Sequence, residues 1–345
     1  MQAIQLTAPR LDAFAATRLP TPEPQRGEVL VRLRAASLNY VDIAVATGNY
    51  PGPVFPLVPV SDGAGEIAAV GADVAGLAVG DRVIAHGKLR WIGGRPRAWE
   101  TRQMRGVTVQ GSLAEYAALP ANAVVPAPAH LSREAAATLP IVATTAWNAL
   151  RTARTGPGSV VLLLGTGGVS IFALQYAKAM GATVLITSSS DEKLERAKAM
   201  GADHVLNYRS TPAWDEAVLA LTGGAGADLV IETGGAETFA RSINAAAVGG
   251  TVFTIGFLSG VQTQVNLLPL IVKSLNVVGN NTGSVDDLRD AARAVAAQRI
   301  EPVIDRVFEP GQASQAYAHV AAGRHFGKVA FARVRSSHGG PAAGN

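Results

Sequence analysis

A strand-length apolar run, Ser159-Val-Val-Leu-Leu-Leu164, leads directly into Gly165-Thr166-Gly167-Gly168-Val169-Ser170, and Ile171 to Met180 then carry helical spacing. Strand, glycine turn and helix in this order suit a phosphate ligand. Free backbone N–H groups and the positive end of the helix dipole converge at the helix N-terminus. Gly165 would allow the tight turn, and Gly167 would let a pyrophosphate approach the backbone with no Cβ in the way. The third fingerprint position is Ser170, which is small enough for close packing of helix on strand. Glycine patterns recur by chance in a chain with 37 glycines. The flanking strand and helix are what single out Gly165, Thr166, Gly167, Gly168 and Val169 as a cofactor loop.

Sites of this kind that prefer NAD place an acid about 20 residues after the turn, where it binds the ribose 2′-hydroxyl. Here the next apolar run ends Ile186-Thr-Ser-Ser-Ser190, with Ser188 at the acid position and Ser189 beside it. No carboxylate there would repel a 2′-phosphate, so the expected cofactor is NADP(H). Asp191 and Glu192 come slightly late, and Ser189-x-x-Glu192 reads as a capping box for the following helix.

The elements that must hold this loop alternate regularly. Apolar runs at Val160–Leu164, Thr183–Thr187, His204–Asn207, Asp228–Ile231, Thr251–Ile255 and Leu275–Val278 are separated by helical patterns at Ser170–Met180, Asp191–Met200, Ala213–Leu221, Ala236–Ala247 and near Leu267–Lys273. This alternation predicts a doubly wound parallel sheet of the Rossmann kind, with ligands at the carboxyl ends of its strands. The N-terminal part differs, with short strand candidates Val29–Arg34, Gly63–Val70 and Asp81–Ala85 between Gly and Pro turns. Helical spacing at Val285–Val295 and a strand-like Pro302–Phe308 complete that β-rich domain. Ser336 to Asn345 has the composition of a disordered tail.

A length of 345 residues suits two domains, and 48% apolar with 16% charged residues describes a packed soluble protein. No apolar run of membrane-spanning length and no secretion-type leader are read, so a cytoplasmic protein without membrane partners is expected. The chain has no cysteine, which excludes disulfides, thiolate nucleophiles and cysteine-ligated metal.

The basic excess is local. Lys88, Arg90, Arg95, Arg97, Arg102 and Arg105 stand against Glu100 alone between His86 and Gln110, leaving 24 basic and 25 acidic residues elsewhere. The segment also holds Trp91 and Trp99. Cations among aromatics can bind single-stranded nucleic acid. Six charges are not a nucleic-acid signature, however, and the expected reading is a surface lobe of solvated arginines anchored by its tryptophans. His86, without companions, reads as a packing or surface residue.

Ser37-Leu-Asn-Tyr-Val-Asp42, Val60-Ser-Asp-Gly-Ala-Gly-Glu66, Val79-Gly-Asp-Arg-Val83, Pro140 to Leu150, Gly165 to Ser170 and His325-Phe-Gly-Lys-Val329 occur in an order and spacing that resembles the medium-chain dehydrogenase/reductase superfamily. The resemblance runs from Met1 to about Val334 and is to the zinc-independent quinone oxidoreductase-like branch. It implies an α/β fold in which a six-stranded Rossmann domain (131–280) is inserted in a GroES-like β-rich domain (1–130 plus 281–335), with the active site between them. It also implies a homodimer, as is common among similar proteins.

Zinc-dependent members hold their catalytic metal with Cys, His and Cys. Those positions are Asn39, Ser61 and Ile141 here, and the structural zinc lobe falls on the basic segment without its ligands, so no metal is expected. The proton-relay hydroxyl of the zinc enzymes falls at Val41. Lys193 and Tyr208 stand where similar NADPH-dependent quinone oxidoreductases grip the 2′-phosphate, Thr145 where a family threonine lies beside the nicotinamide, and Asn280 and Asn281 at the domain crossover. Without a Lewis acid, the substrate must accept hydride readily, as quinones and α,β-unsaturated carbonyls do, with neutral donors stabilising the oxyanion. Asn39 is the expected carbonyl donor and Tyr50 the donor or proton source. Tyr40 is weaker, because a neighbour of Asn39 on an extended segment points away. Val60 replaces the usual glycine, and Ile141-Val142-Ala143 is bulkier than the common pattern. The expected activity is therefore NADPH-dependent reduction of quinones or enones. The competing readings are a metal-free NADP-dependent alcohol or aldehyde dehydrogenase and a non-catalytic NADPH-binding protein with a nucleic-acid-binding lobe.

Overall fold

The computed structural model describes residues 1–332, so the expected tail at 336–345 lies outside the described residues. The strands are β1 (Gln2–Leu6), β2 (Phe14–Arg18), β3 (Glu28–Leu38), β4 (Asp62–Val70), β5 (Arg82–Ala85), β6 (Tyr116–Pro120), β7 (Val124–Pro126), β8 (Val160–Leu163), β9 (Thr183–Ser188), β10 (His204–Asn207), β11 (Ala227–Glu232), β12 (Ala246–Thr254), β13 (Asn276–Gly279), β14 (Ile304–Phe308) and β15 (Lys328–Ala332). The helices are α1 (Tyr40–Ala46), α2 (Arg133–Ala137), α3 (Thr144–Thr152), α4 (Gly168–Ala179), α5 (Asp191–Ala199), α6 (Trp214–Leu221), α7 (Phe239–Ala245), α8 (Leu267–Val272), α9 (Val285–Ala297) and α10 (Ala313–Ala321).

Six strands form one sheet in the order β10-β9-β8-β11-β12-β13, every pairing parallel. Its central strands read as unbroken apolar runs because helices cover both faces. Val161 to Leu163 and Leu229 to Ile231 are fully buried. Strand order reverses between β8 and β11, which opens a crevice at their carboxyl ends. The second large sheet runs β14-β15-β3-β4-β5-β7, with β6 paired to β3. The parallel sheet is thus inserted between β7 and β14 of a β-rich domain. One apolar core passes from Ala35 and Ala64 through Leu139 and Val142 to Val161, Leu163 and Leu288, backing both walls of the cleft.

Two local expectations need correction. The helix expected over Ala236–Ala247 is shorter, since Glu232 accepts hydrogen bonds from the Gly234 and Gly235 amides (2.7 and 2.9 Å) and from Thr238 Oγ1 (2.7 Å). This carboxylate holds 233–238 in a turn, and α7 begins only at Phe239. The cap of α5 is Ser190, whose hydroxyl accepts from the Lys193 amide at 3.4 Å, not the Ser189–Glu192 box. Ser188 is still paired in β9, so the chain leaves the sheet one residue later than expected.

Ahead of α3 the chain forms a π-helical turn, Leu139–Ala143. Pro140 supplies no N–H there, and the widened turn brings Ile141 and Val142 to the cleft.

Candidate active site

The crevice between the two sheets is a cleft of about 830 Å³. Asn39, Tyr50, Thr145, Gly165 to Val169, Ser188, Ser189, Lys193, Tyr208, Asn280 and Asn281 all line it.

At the nucleotide end, Gly165 has φ of 72°, and a Cβ built on Gly165 or Gly167 would meet nothing within 4 Å. The open side of this turn faces the cleft, as a pyrophosphate requires. Gly167 is the N-cap of α4 and offers no side-chain acceptor, so the first-turn amides remain available to an anion. Close packing falls on Gly168, where a Cβ would come within 2.7 Å of Lys328 Cδ. Ser170 is buried and donates to the Leu164 carbonyl at 2.8 Å, tying helix to strand. These residues fit a dinucleotide.

Ser188, the last residue of β9, and Ser189 line the cleft, and Tyr208 is an exposed residue on the same lining. Lys193 does more than its position implied. Its Nζ donates to the Gly323 and His325 carbonyls at 2.7 and 2.9 Å, so one of its three N–H groups remains for a phosphate.

At the opposite end Asn39 is the N-cap of α1. Its backbone amide donates to Asp42 Oδ2 at 2.8 Å, and its side chain is bound at both ends. Nδ2 donates to Asp62 Oδ2 at 2.9 Å, and Oδ1 accepts from Lys328 Nζ at 2.6 Å. The second Nδ2 hydrogen makes only a long bond to the Ser37 carbonyl, with Nδ2 and oxygen 3.5 Å apart, and is the one a ligand could take over. Because Asn39 ends the extended segment and Tyr40 begins a helix, the alternation argument against Tyr40 does not apply, and Tyr40 lines the same cleft. Tyr50 has no hydrogen-bond partner among the described residues, and burial holds its phenol protonated. Phe257, on the loop after β12, reaches across from the parallel sheet to Tyr40 and Tyr50, with ring centroids 5.3 and 6.3 Å apart.

The zinc-ligand positions do not fit zinc. Asn39 is committed to Asp62 and Lys328, Ile141 has no donor, and the described residues contain no group of three or more His, Cys, Asp or Glu arranged to hold a metal. In their place lies a buried charged cluster. Burial, opposed mainly by Lys328, pushes the Asp62 carboxyl up to about 6. Burial with the neighbouring Asp62 pushes Asp42 up to about 7. Lys328 is itself held below its ordinary value by burial, against the pull of both carboxylates.

The basic lobe is only partly the solvated surface expected of it. Lys88 is buried and donates to the Thr101 carbonyl, and Arg105 is completely buried, with Nη2 on the Gly111 carbonyl. Trp91 anchors the lobe, donating to the Gly94 carbonyl while its own carbonyl accepts from the Val285 amide. Trp99 is half-exposed. His86 is buried and its ring is held neutral, its pKa lowered to about 4 by burial.

Lys328 and Phe257 are cleft residues that the sequence reading did not single out. The signal for Lys328 was its place in Gly327-Lys328-Val329. For Phe257 it was the rule that loops at the carboxyl edge of a parallel sheet line the ligand site.

This arrangement is that of a two-domain nicotinamide-dependent oxidoreductase. Residues 25–129 match the alcohol dehydrogenase GroES-like domain, and residues 168–297 match the zinc-binding dehydrogenase family. A zinc-type alcohol dehydrogenase-like protein of Schizosaccharomyces pombe is 46% identical over 311 residues, covering 88% of this chain and 90% of the relative. A crystal structure from Sinorhizobium meliloti 1021, described as a candidate alcohol dehydrogenase, is 38% identical with TM-score 0.89, covering 96% of this chain and 98% of that one. The structure of crotonyl-CoA carboxylase/reductase AntE in complex with NADP is 25% identical with TM-score 0.88, covering 96% and 94%. The chain belongs to the medium-chain dehydrogenase/reductase superfamily, as a zinc-type alcohol dehydrogenase-like oxidoreductase.

Proposed function

We propose that this protein is an NADPH-dependent, zinc-independent reductase of quinones or α,β-unsaturated carbonyls. One observation carries the reading: opposite the glycine loop the cleft offers neutral donors, Asn39 and Tyr50, among the apolar surfaces of Tyr40, Met104, Ile141 and Phe257. A planar, uncharged acceptor suits that surface. The first-turn amides of α4 would hold the pyrophosphate, Thr145 and Asn281 the nicotinamide half, and Ser188, Ser189, Lys193 and Tyr208 the 2′-phosphate. The nicotinamide supplies hydride when bound. The second N–H of Asn39, held only by its long bond to the Ser37 carbonyl, would stabilise charge developing on the substrate oxygen, and Tyr50 would supply a proton. The NADP complex of AntE, whose name specifies an α,β-unsaturated thioester, supports both the cofactor and the substrate class.

The partner we propose is a second copy of the chain. β13 is an edge strand of the parallel sheet, and no residue of the adjoining α8 is buried. Leu267, Leu268, Ile271 and Val272 thus form an apolar patch beside an unpaired strand edge, which pairing of two β13 strands would cover. No helix of the described residues is long and apolar enough to cross a membrane. The cytoplasmic address remains part of this reading.

Stopped-flow oxidation of NADPH with a panel of quinones, enones, aldehydes and alcohols tests the function. Turnover of quinones or enones with NADPH is expected. Turnover confined to the alcohol–aldehyde couple would replace this reading with that of a metal-free dehydrogenase.

A further inference from the structure

Lys328 opens β15 and is almost wholly buried, yet it touches both halves of the site. Its stem packs against Gly168 in the nucleotide loop, where the built Cβ lies 2.7 Å from Cδ and 3.5 Å from Cγ. The preceding residue, Gly327, donates its amide to the Thr166 carbonyl at 3.0 Å. Its ammonium reaches into the β-rich domain, donating to the Leu38 carbonyl at 2.5 Å and to Asn39 Oδ1 at 2.6 Å, with Asp62 Oδ2 at 3.7 Å. Asp62 in turn accepts from Asn39 Nδ2.

An asparagine amide can turn over, exchanging oxygen for nitrogen. Here it has one allowed orientation, because a cation faces its oxygen and a carboxylate faces its nitrogen. The cation also draws electron density onto Oδ1, and the second N–H, which makes only a long 3.5 Å bond to the Ser37 carbonyl, becomes a stronger donor.

We infer that Lys328 is a positioning residue, fixing and polarising the Asn39 amide toward the substrate oxygen and fastening it to the nucleotide loop. This rests on the reading that Asn39 faces the substrate carbonyl. Lys328 acts through Asn39 and does not itself touch the substrate.

The test is a double-mutant cycle of Lys328→Met and Asn39→Ala, read in kcat, KM and NADPH dissociation constant. Methionine keeps the stem against Gly168 and removes the charge. Lys328→Met should lower kcat about tenfold or more while NADPH binding stays within about twofold, and Lys328→Arg should recover part of the loss. In the Asn39→Ala background Lys328→Met should change kcat no further. Full, independent losses in the two backgrounds, or an unchanged kcat in Lys328→Met, would overturn the assignment. If Lys328→Met does not fold, the charge-balanced pair Lys328→Met with Asp62→Asn takes its place in the cycle. A wild type that reduces no quinone or enone would sink the activity reading instead. The Asn39 side-chain amide resonance then still decides the contact: it shifts in Lys328→Met if the ammonium sits on its oxygen, and an unmoved resonance rejects the inference.

Discussion

Lys193 Nζ lies 2.9 Å from the carbonyl oxygen of His325, so the first turn of α5 is fastened across the cofactor cleft to the loop that leads into β15. A residue expected to grip a 2′-phosphate therefore also holds the two domains together. Lys193→Ala should weaken NADPH by about ten- to a hundredfold, and NADH by much less. It should also lower the melting temperature of the cofactor-free protein, because the Gly323 and His325 carbonyls lose their shared donor. Titration of both cofactors and a thermal melt check this, and equal losses for NADPH and NADH would reverse the cofactor assignment.

Asn39→Ala should lower kcat about a hundredfold while leaving NADPH affinity near wild type, since an oxyanion donor is lost and the glycine turn itself is unchanged. Removing the amide also takes one hydrogen bond from each of Asp62 and Lys328, which should cost about 1–3 kcal/mol of stability. Tyr50→Phe should slow enones more than quinones, which need less help with protonation. Steady-state rates on both substrate classes decide; unchanged rates in both variants would make these residues packing groups only.

Val60 sits at φ of 72°, a left-handed conformation that is strained for a β-branched residue, and it is completely buried. Glycine is ordinarily about 0.5–1 kcal/mol less stable than alanine within regular structure, but here the order should invert. Val60→Gly should be more stable than Val60→Ala in urea denaturation, though both lose the packing of the valine. The usual order would mean that the strain is small.

Burial holds the His86 ring at a pKa of about 4 against an ordinary 6.5. The unfolded chain takes a proton below 6.5 that the folded form refuses until about 4. The neutral ring therefore stabilises the fold fully above pH 6.5 and loses that contribution as pH falls through 4. The loss approaches about 3 kcal/mol. The stability difference between wild type and His86→Gln should shrink by that order between pH 7.5 and 4, because Asp42, Asp62 and His325 titrate in both proteins. A pH-independent difference would show that the ring is accessible.

Ile271→Asp, or Leu268→Asp, should convert a dimer to a monomer in sedimentation without moving the urea midpoint of the monomer, as both side chains are exposed on α8. A wild type that sediments as a monomer at micromolar concentration would remove the proposed partner.

The parallel sheet and its glycine loop were legible because their physics is local. Buried parallel strands must be apolar runs, and a phosphate turn must place glycines between strand and helix, so Val160–Leu163, Gly165 and Gly167 declared themselves in order. The loss of the zinc-ligand set was equally legible, because Asn39, Ser61 and Ile141 replace Cys, His and Cys, and Ile141 has no donor atom in any fold. Thr145, Lys193 and Tyr208 were located by resemblance and Ser188 by its spacing from the glycine turn, and all four line the cleft. What the chain order could not convey is which partners those groups acquire. Asn39, Asp62 and Lys328 are brought together only when β15 pairs with β3 and β3 with β4. That pairing engages one N–H of the amide with Asp62 and leaves the other only a long bond to the Ser37 carbonyl. Lys193 likewise meets Gly323 and His325, and Phe257 meets Tyr40, only across the closed cleft. Arg105 and Lys88 read as solvated cations until the lobe folds over them. Each of these contacts joins segments whose separation along the chain carries no signal, and hydrogen bonding and desolvation depend on distance in space.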